Sequence, residues 1–483
     1  MPAFVVIGLG TVVLYAVWLA WVPLLPSNVY EPLLDLGKIT GYTWSSALSY
    51  LYLVAAQYVL YALGYRYVLR ASVGVWPIFL FGALFGLELV GAYPATAADV
   101  FGYAAHGRVL AVYGANPFVV PPGAFPGDSI YPYLAYPDEP SQYGPVWVAL
   151  NAAIALISGS DLLTEVVLYK VAGLLAHLAG AALVLSIASR LGSDVRRGLA
   201  GAYLFLWNPL LLWEMVGNAH NDGLMMLGGL LGLWLLVRRA NRLVLPGVAL
   251  GALVKLPVLV MAPGLLVVTW RRSRGAAVEG LLLGLALAAV WYWPFWQGPR
   301  TVTALDRTDL FTASLASLVR FGLEPSVGET IASVAARVVA YGLFGLTLLL
   351  ILWRAGRASD SRTAIGVVYA SLLAALLLAT TWFQAWYVVW PFAVGACLPC
   401  GARHREVALL GLGGLLQYFV FIYVWVMGVL PDGVTLVQTA AYVAIVGPLL
   451  IGWLMARGRP RWPSRTRRPP RPRSGQAVRV TSG

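Results

Sequence analysis

Cysteine, charge and lysine are all scarce in this sequence, and each scarcity removes a class of protein. The two cysteines, Cys397 and Cys400, form a lone Cys-Leu-Pro-Cys at the end of an apolar run. No disulfide framework follows from one such pair. A structural zinc site needs four ligands, and only His404 stands nearby, so two small core residues are the reading. Charged residues make up 11% of the 483, against about 25% in an ordinary soluble domain. Lysine is very rare, and arginine carries nearly all the positive charge. No Lys or Arg precedes Phe4, and the apolar run that begins there continues to Leu25. A cleaved signal peptide would need a basic start, so the first segment reads as a retained helix.

What fills the sequence instead is apolar surface: 60% of its residues are hydrophobic, and the mean hydropathy is +0.77. Windows of about twenty apolar residues, enough to cross a roughly 30 Å hydrocarbon core as a helix, recur from Phe4 to Met455. The fold class is therefore an all-α polytopic membrane protein, with one membrane domain over residues 1–456. The net charge of +13 gathers at the end, where nine arginines lie between Arg457 and Arg479. Residues 457–483 read as an Arg/Pro-rich disordered cytoplasmic tail suited to anionic lipid headgroups. Aromatic residues do not interleave with these arginines beyond Trp462, so no nucleic-acid partner is expected.

Short cytoplasmic loops are rich in Lys and Arg, which orients the chain. Basic clusters at Arg66/Arg70, Arg190–Arg197, Arg238–Arg242, Arg271–Arg274, Arg354–Arg362 and Arg403/Arg405 mark the inside. Glu31, Asp35, Asp99, Asp128, Asp138, Glu139, Asp222, Asp306, Asp309 and Asp432 mark the outside. Thirteen or fourteen spans reproduce that alternation with both termini inside: about 4–25, 43–63, 75–93, 163–189, 197–216, 222–240, 243–256, 257–270, 275–296, 331–354, 363–381, 385–402, 406–429 and 434–455. The pair 243–256 and 257–270 is short, and reads as a hairpin turning at Lys255-Leu256-Pro257. Val146 to Ile157 is too short to cross, and reads as a re-entrant or interfacial helix inside a long outer region over about 94–162. Loops of that length are commonly functional. This one is rich in Tyr, Phe, Pro and Gly, which suits a folded cap carrying interfacial helices.

Candidate chemistry clusters on the outer side. Asp99 stands where the third span leaves the hydrocarbon, with Tyr103, His106 and Arg108 within two helical turns. A carboxylate there can stay ionised yet be partly desolvated, as a general base requires; the plainer reading is a helix cap. Trp207-Asn208-Pro209-Leu210, Glu214 and Gly217-Asn218-Ala219-His220-Asn221-Asp222 interrupt adjoining apolar spans. Polar groups are costly in hydrocarbon, so this cluster is expected to line a wet cavity, unless Asn218 is a turn and Asp222 a cap. Lys255 meets either an anionic headgroup or phosphate, or snorkels to the interface. Arg307, in Asp306-Arg307-Thr308-Asp309, is a second candidate for phosphate, with solvated loop charges as the alternative. Trp386 and Tyr387, in Thr381-Trp382-Phe383-Gln384-Ala385-Trp386-Tyr387, belong either to an aromatic belt or to a sugar-stacking surface. Within the membrane, Glu88, Lys170 and His177 are expected to hydrogen-bond inside the bundle rather than conduct ions.

The order of Asp99, Gly107-Arg108, Gly114-Ala115-Asn116-Pro117-Phe118, Tyr143-Gly144-Pro145, Trp207-Asn208-Pro209-Leu210, Asn218-Ala219-His220-Asn221-Asp222, Lys255-Leu256-Pro257 and Gln384-Ala385-Trp386-Tyr387 resembles the polyprenyl-phosphate-mannose-dependent mannosyltransferases of the GT-C superfamily. These include the bacterial and archaeal α-mannosyltransferases that build lipomannan. The resemblance runs from about Asp99 to Trp390 and implies a GT-C fold with its site on the non-cytoplasmic face of the cell membrane. It further implies an inverting transfer from a polyprenyl-phosphate-linked sugar to a glycolipid or glycan acceptor, among membrane lipids. Asp99 falls where these enzymes keep their catalytic carboxylate, with His220 or Asp222 orienting the acceptor. Tyr103, Asn218, Asn221, Trp386 and Tyr387 would then contact substrate, and Lys255, Arg108 and Arg307 the phosphate. Asp99 has no adjacent Asp or Glu as in some relatives, so no cofactor and no metal are expected. A related enzyme using lipid-linked arabinose or glucose, and a lipid-linked sugar transporter or flippase, are the alternatives. The transporter would place its charges at broken helices near the midplane.

Overall fold

The computed structural model of the protein describes residues 1–159, 161–192, 194–303, 309–356, 360–431 and 433–457. Arg307, Asp306, Asp432 and the Arg/Pro-rich segment beyond Arg457 lie outside the described residues. Among the described residues the chain is built of helices and carries no β-strand, only three isolated bridges. Among the described residues, eight helices are long and apolar enough to cross a membrane: Pro2–Trp21, Trp44–Arg70, Leu162–Gly192, Arg274–Phe295, Glu329–Ala355, Ser361–Ala379, Ala402–Trp425 and Val434–Met455. A ninth crossing forms if Val195–Leu206 and Pro209–Gly217, bent by 54°, count as one span. The chain is thus a multi-pass, all-α membrane protein.

Several expected spans are shorter than a crossing requires. Val75–Val90, Pro145–Ser158, Asp222–Val237 and Ala385–Gly395 are apolar helices of 10–17 residues. The expected 243–256 span holds only the helix Val244–Ala252, nine residues, or about 14 Å at 1.5 Å per residue. It ends in the expected turn, with Lys255 extended and a 3₁₀ segment, Leu256–Met261, leading into Ala262–Arg272. Hydropathy marks these segments as apolar but does not fix where their helices begin and end.

The bend has a local cause. Asn208 caps the second half-helix, its side chain accepting from Leu211 N, and Pro209 occupies the first helical position, where its missing N–H costs nothing. The half-helix then widens into a π-turn, Trp213–Gly217, a geometry frequent at functional sites. Lys170 supports this end: its ammonium donates to the carbonyls of Leu89 (3.0 Å), Val216 (3.2 Å) and Gly217. His177 is 3.0 Å from the Leu206 carbonyl at the break itself. The Val216, Gly217 and Leu206 carbonyls are answered at the break in this way, and Lys170 also joins it to the end of Val75–Val90 through Leu89.

The two ends of the bundle differ in kind. At one end Arg196 reaches Ser72, Arg362 donates to the Leu191 carbonyl, and Arg272 joins the Leu236 carbonyl to Ser361. The basic loops therefore share one face. The polar motifs gather at the opposite end. Asp222–Val237 has 16 residues, about 24 Å of helix. Measured from Arg238, that length falls short of a roughly 30 Å core, and Asp222 at its far end is buried within the protein.

The long connection over about 94–162 is ordered rather than coiled. Its helices Asp99–Ala111 and Pro145–Ser158 lie side by side. Gly107 permits this, since a Cβ there would sit 2.4 Å from the Asn151 carbonyl. Gly144 likewise lies against the Lys255 turn, with Gly144 N donating to Val254 O (2.9 Å) and Val146 N to Leu253 O (3.0 Å). A Cβ at Gly144 would meet Leu253 O at 2.2 Å, so Gly144→Ala must push the turn away. We expect a loss of roughly 1–3 kcal/mol of stability, the usual range for overpacking. In thermal unfolding of the detergent-solubilised protein, Gly127→Ala, which meets nothing within 4 Å, should leave the midpoint unchanged; equal midpoints for the two variants would contradict the contact.

Candidate active site

Five segments far apart in sequence converge at the end opposite the arginines. The first carries Thr96 and Asp99, the second Tyr143, the third Glu214 to Asp222, the fourth Lys255, and the fifth Trp386 to Trp390. Asp99 stands in the first turn of its helix, but the cap position is Ala98 and no side chain caps it. Its carboxylate instead accepts from the Tyr143 hydroxyl at 3.4 Å and lies 3.7 Å from His220 Nε2. The cap reading of Asp222 is absent too, since Asn221 holds that position without a side-chain bond.

His220 is fully buried between two carboxylates, with Nδ1 3.0 Å from Glu214 Oε2 and Nε2 facing Asp99. Neither contact is aligned as a hydrogen bond, so the attraction is ionic. The ring also lies flat on Trp386, with centroids 3.9 Å apart and planes 20° apart. Burial opposes a charge on His220, yet Asp99 and Glu214 outweigh it and raise its pKa to about 9. Burial likewise pushes the Asp99 carboxyl up, but His220, Lys255 and the Tyr143 hydroxyl together hold it below its ordinary value. The loop that presents His220 is strained: Ala219 has φ +59°, a left-handed conformation costly for a residue with a Cβ.

Beside this group lies a second pair. Lys255 Nζ is 2.8 Å from Asp222 Oδ2, and Trp390 Nε1 donates to Asp222 Oδ1 at 2.6 Å. The ammonium stands 5.7 Å and 5.2 Å from the ring centres of Tyr143 and Tyr387, within cation–π range. Tyr387 stacks on Trp390 at 4.4 Å. Asn218 donates to Thr96 Oγ1 (2.6 Å) and Glu214 Oε2 (3.0 Å), and Trp213 also donates to Thr96 (2.8 Å). Neither amide atom of buried Asn221 has a hydrogen-bond partner among the described residues, which leaves a donor and an acceptor for a ligand or water. Tyr103 packs edge-on against Tyr143 and Trp147 and lines a cleft of about 260 Å³ that also exposes Asp99.

The structure therefore brings together Asp99, Tyr103, Asn218, His220, Asn221, Asp222, Lys255, Trp386 and Tyr387. Arg108 is elsewhere: its guanidinium pairs with Asp128 (2.8 Å) and donates to the Gly159 carbonyl. Both contacts tie the helix Asp99–Ala111 to its own outer loop and turn Arg108 away from the expected phosphate position. Arg307 lies outside the described residues. Thr96 and Trp390 gave no signal in the sequence, because a Thr in a loop and a Trp in an apolar run have many commoner uses. Tyr143 and Glu214 stood inside quoted motifs, but a role depends on which groups they meet, and only the fold supplies that.

A profile of the alpha-(1->6)-mannopyranosyltransferase family, described as its N-terminal domain, matches residues 3–272. The chain belongs to that family. Alpha-(1->6)-mannopyranosyltransferase A of Mycobacterium tuberculosis (strain ATCC 25618 / H37Rv) is 26% identical over 414 residues, covering 76% of this chain and 70% of the relative. Alpha-(1->6)-mannopyranosyltransferase B of Corynebacterium glutamicum is 28% identical over 183 residues, 36% of this chain and 28% of the relative. As a member of this mannosyltransferase family the chain is a membrane glycosyltransferase acting on a sugar donor and a glycan acceptor. The matched region contains Asp99, Tyr143, Glu214, His220, Asp222 and Lys255, and stops before Trp386 and Trp390.

The electrostatics of His220 have a measurable consequence. A histidine whose pKa rises on folding stabilises the fold fully below its unfolded value and loses that contribution as pH climbs through the folded one. The melting midpoint of the native mannosyltransferase should therefore decline between about pH 6.5 and pH 9, and that of His220→Gln should be flatter across the same window. Parallel curves would mean that His220 is not held as a cation.

Proposed function

We propose that this protein moves a mannosyl residue from polyprenyl-phosphate-mannose to an acceptor hydroxyl, with inversion at the anomeric carbon and Asp99 as general base. The observation that carries this reading is Asp99 itself: a carboxylate at the wall of an open cleft, uninvolved in capping and backed by a buried cation. The names of its relatives suggest an α-(1→6) linkage. Both termini then face the cytoplasm and the site faces the periplasmic or extracellular side, in keeping with the arginine-rich loops at the other end.

In the proposed step the acceptor oxygen bonds to the anomeric carbon, the carbon–oxygen bond to phosphate breaks, and the hydroxyl proton passes to Asp99. The products are the glycoside and polyprenyl phosphate. A carboxylate held below its usual range is a weak base. Proton transfer therefore follows bond formation, once the attacking oxygen has grown acidic. As Asp99 is neutralised, His220 keeps Glu214 as its counter-ion, and no buried charge is stranded. Phosphate is a stable leaving group and needs charge stabilisation more than a proton; Lys255, between two tyrosine rings, supports that role. Asp222 and Trp390 fix its direction. An apolar groove of about 680 Å³ between Leu162–Gly192 and Asp222–Val237, headed by Val146 and Val254, supports a prenyl chain as the donor's tail. The reading is metal-independent: Asp99 and Glu214 already face an internal cation.

Asp99→Asn should lower transfer by about 10²–10⁴-fold, the usual contribution of a positioned base, with the donor KM little changed. Purified protein given radiolabelled polyprenyl-phosphate mannose, arabinose and glucose, with and without chelator, tests the rest. Mannose transfer should dominate and survive the chelator; transfer from another donor, or none once divalent ions are removed, would replace that part of the reading.

A further inference from the structure

The helix Ala402–Phe419 runs beside the half-helix that carries Glu214, and its glycines show how closely. Gly411, Gly414 and Tyr418, at i, i+3 and i+7, share one helix face. A Cβ at Gly411 would stand 3.1 Å from the Asn208 amide, and one at Gly414 would stand 2.8 Å from Leu210. Glycines one turn apart thus let this helix close on the start of the half-helix. The next residue on that face, Tyr418, is carried to the level of Glu214, and its buried hydroxyl lies against both the Glu214 carboxylate and Thr96. Tyr418 stands far beyond residues 3–272, the region that the family profile matches.

The donors at this carboxylate can be counted. Asn218 Nδ2 and His220 Nδ1 each stand 3.0 Å from Glu214 Oε2, whereas Oε1 is buried and has no aligned hydrogen bond among the described residues. A buried charged oxygen without a donor is costly. Thr96 fixes the direction in which protons run toward it. Its Oγ1 accepts from Trp213 and from Asn218. A hydroxyl has two lone pairs and one proton, so Thr96 has only its proton left to give. Tyr418 Oη can receive that proton and turn its own to Glu214 Oε1. Tyr50 also stands near Glu214, but its hydroxyl donates to the Leu415 carbonyl at 2.7 Å.

We propose that Tyr418 is a positioning residue: backed by Thr96, it donates to Glu214 Oε1, and so keeps that carboxylate ionised and the shared proton on His220. Without this donor the proton is held better by Glu214, and His220 faces Asp99 as a neutral ring. The consequence for transfer rests on the function proposed above, whereas the place of the proton does not need turnover.

Tyr418→Phe removes the hydroxyl and keeps the ring, so the full chain should still melt cooperatively in detergent. Nitrogen NMR of that chain with isotope-labelled histidine reads the proton directly, the His220 signals being those lost in His220→Gln. At roughly pH 8, above the ordinary histidine value and below the His220 value of about 9, native His220 Nδ1 should carry a proton. In Tyr418→Phe its signal should move toward the unprotonated position. In steady-state transfer from polyprenyl-phosphate-mannose, Tyr418→Phe should lower kcat about tenfold, the worth of one hydrogen bond to a charged group, and leave both KM values within about twofold. In a Glu214→Gln background the same substitution should cost less than about twofold, because it acts through the carboxylate. A native Nδ1 without its proton, an Nδ1 signal unmoved by Tyr418→Phe, or kcat losses that simply multiply across the two substitutions would overturn the assignment. A shifted Nδ1 in a chain that transfers from no lipid donor would keep Tyr418 in this role and remove the transferase step instead.

Discussion

The site is organised around one buried imidazole. His220 sits on a left-handed turn with Glu214 on one side, Asp99 on the other and Trp386 flat against its face. An uncompensated charge in such a place would be expelled or neutralised, so the two carboxylates must arrive together. Glu214 comes from the π-turn of the bent span and Asp99 from the outer loop. The His220 contact thereby fixes the distance between two parts of the chain that share no helix. Thr96 reinforces it by accepting from both Trp213 and Asn218, and Lys170 joins the end of Val75–Val90 to the same π-turn.

The polar groups also explain why the spans are broken where they are. A continuous helix through Leu206 to Val237 would bury Glu214, His220 and Asp222 in a lipid-facing ladder with no partners, at a cost of several kcal/mol each. Breaking it at Asn208-Pro209, widening it at Trp213 and restarting it at Asp222 turns these side chains inward, onto Lys255 and Asp99. The carbonyls freed by the breaks are answered by Lys170 and His177. Lys170 and His177 are thus accounted for by backbone satisfaction, as expected of structural rather than conducting groups, whereas Glu88 Oε2 is buried with no hydrogen-bond partner among the described residues.

Much of this was legible in the sequence because membranes restrict what a chain can do. Apolar windows located the long helices, and arginine clusters marked the loops that meet at one face. Lys255-Leu256-Pro257 announced a turn, while the break at Asn208-Pro209 lies inside the span expected over 197–216. The lengths of the helices were not legible, since Asp222–Val237 and Val244–Ala252 are as apolar as the long helices but have only 16 and nine residues. Arg108 misled for a related reason: an arginine near a candidate carboxylate looks like a phosphate ligand until Asp128, twenty residues on, is seen to hold it. Trp390 was invisible because its indole N–H, the part that matters to Asp222, is hidden in a run of hydrophobic letters.

The two ionic pairs differ in a way that follows from their burial. Asp222 has no exposed surface and its partner Lys255 little, so removing either would strand the other in a low-dielectric site. Asp99 keeps 26% of its side-chain surface open. It faces water and the cleft on one side and a cation on the other. A carboxylate so placed can exchange a proton with a bound hydroxyl without rearranging the protein, because its change of charge is met by solvent and by an ion already present. Asp222 cannot do the same without leaving Lys255 alone. Among the carboxylates gathered here, the geometry therefore separates one that can gain a proton from others that must keep their charge to hold the fold.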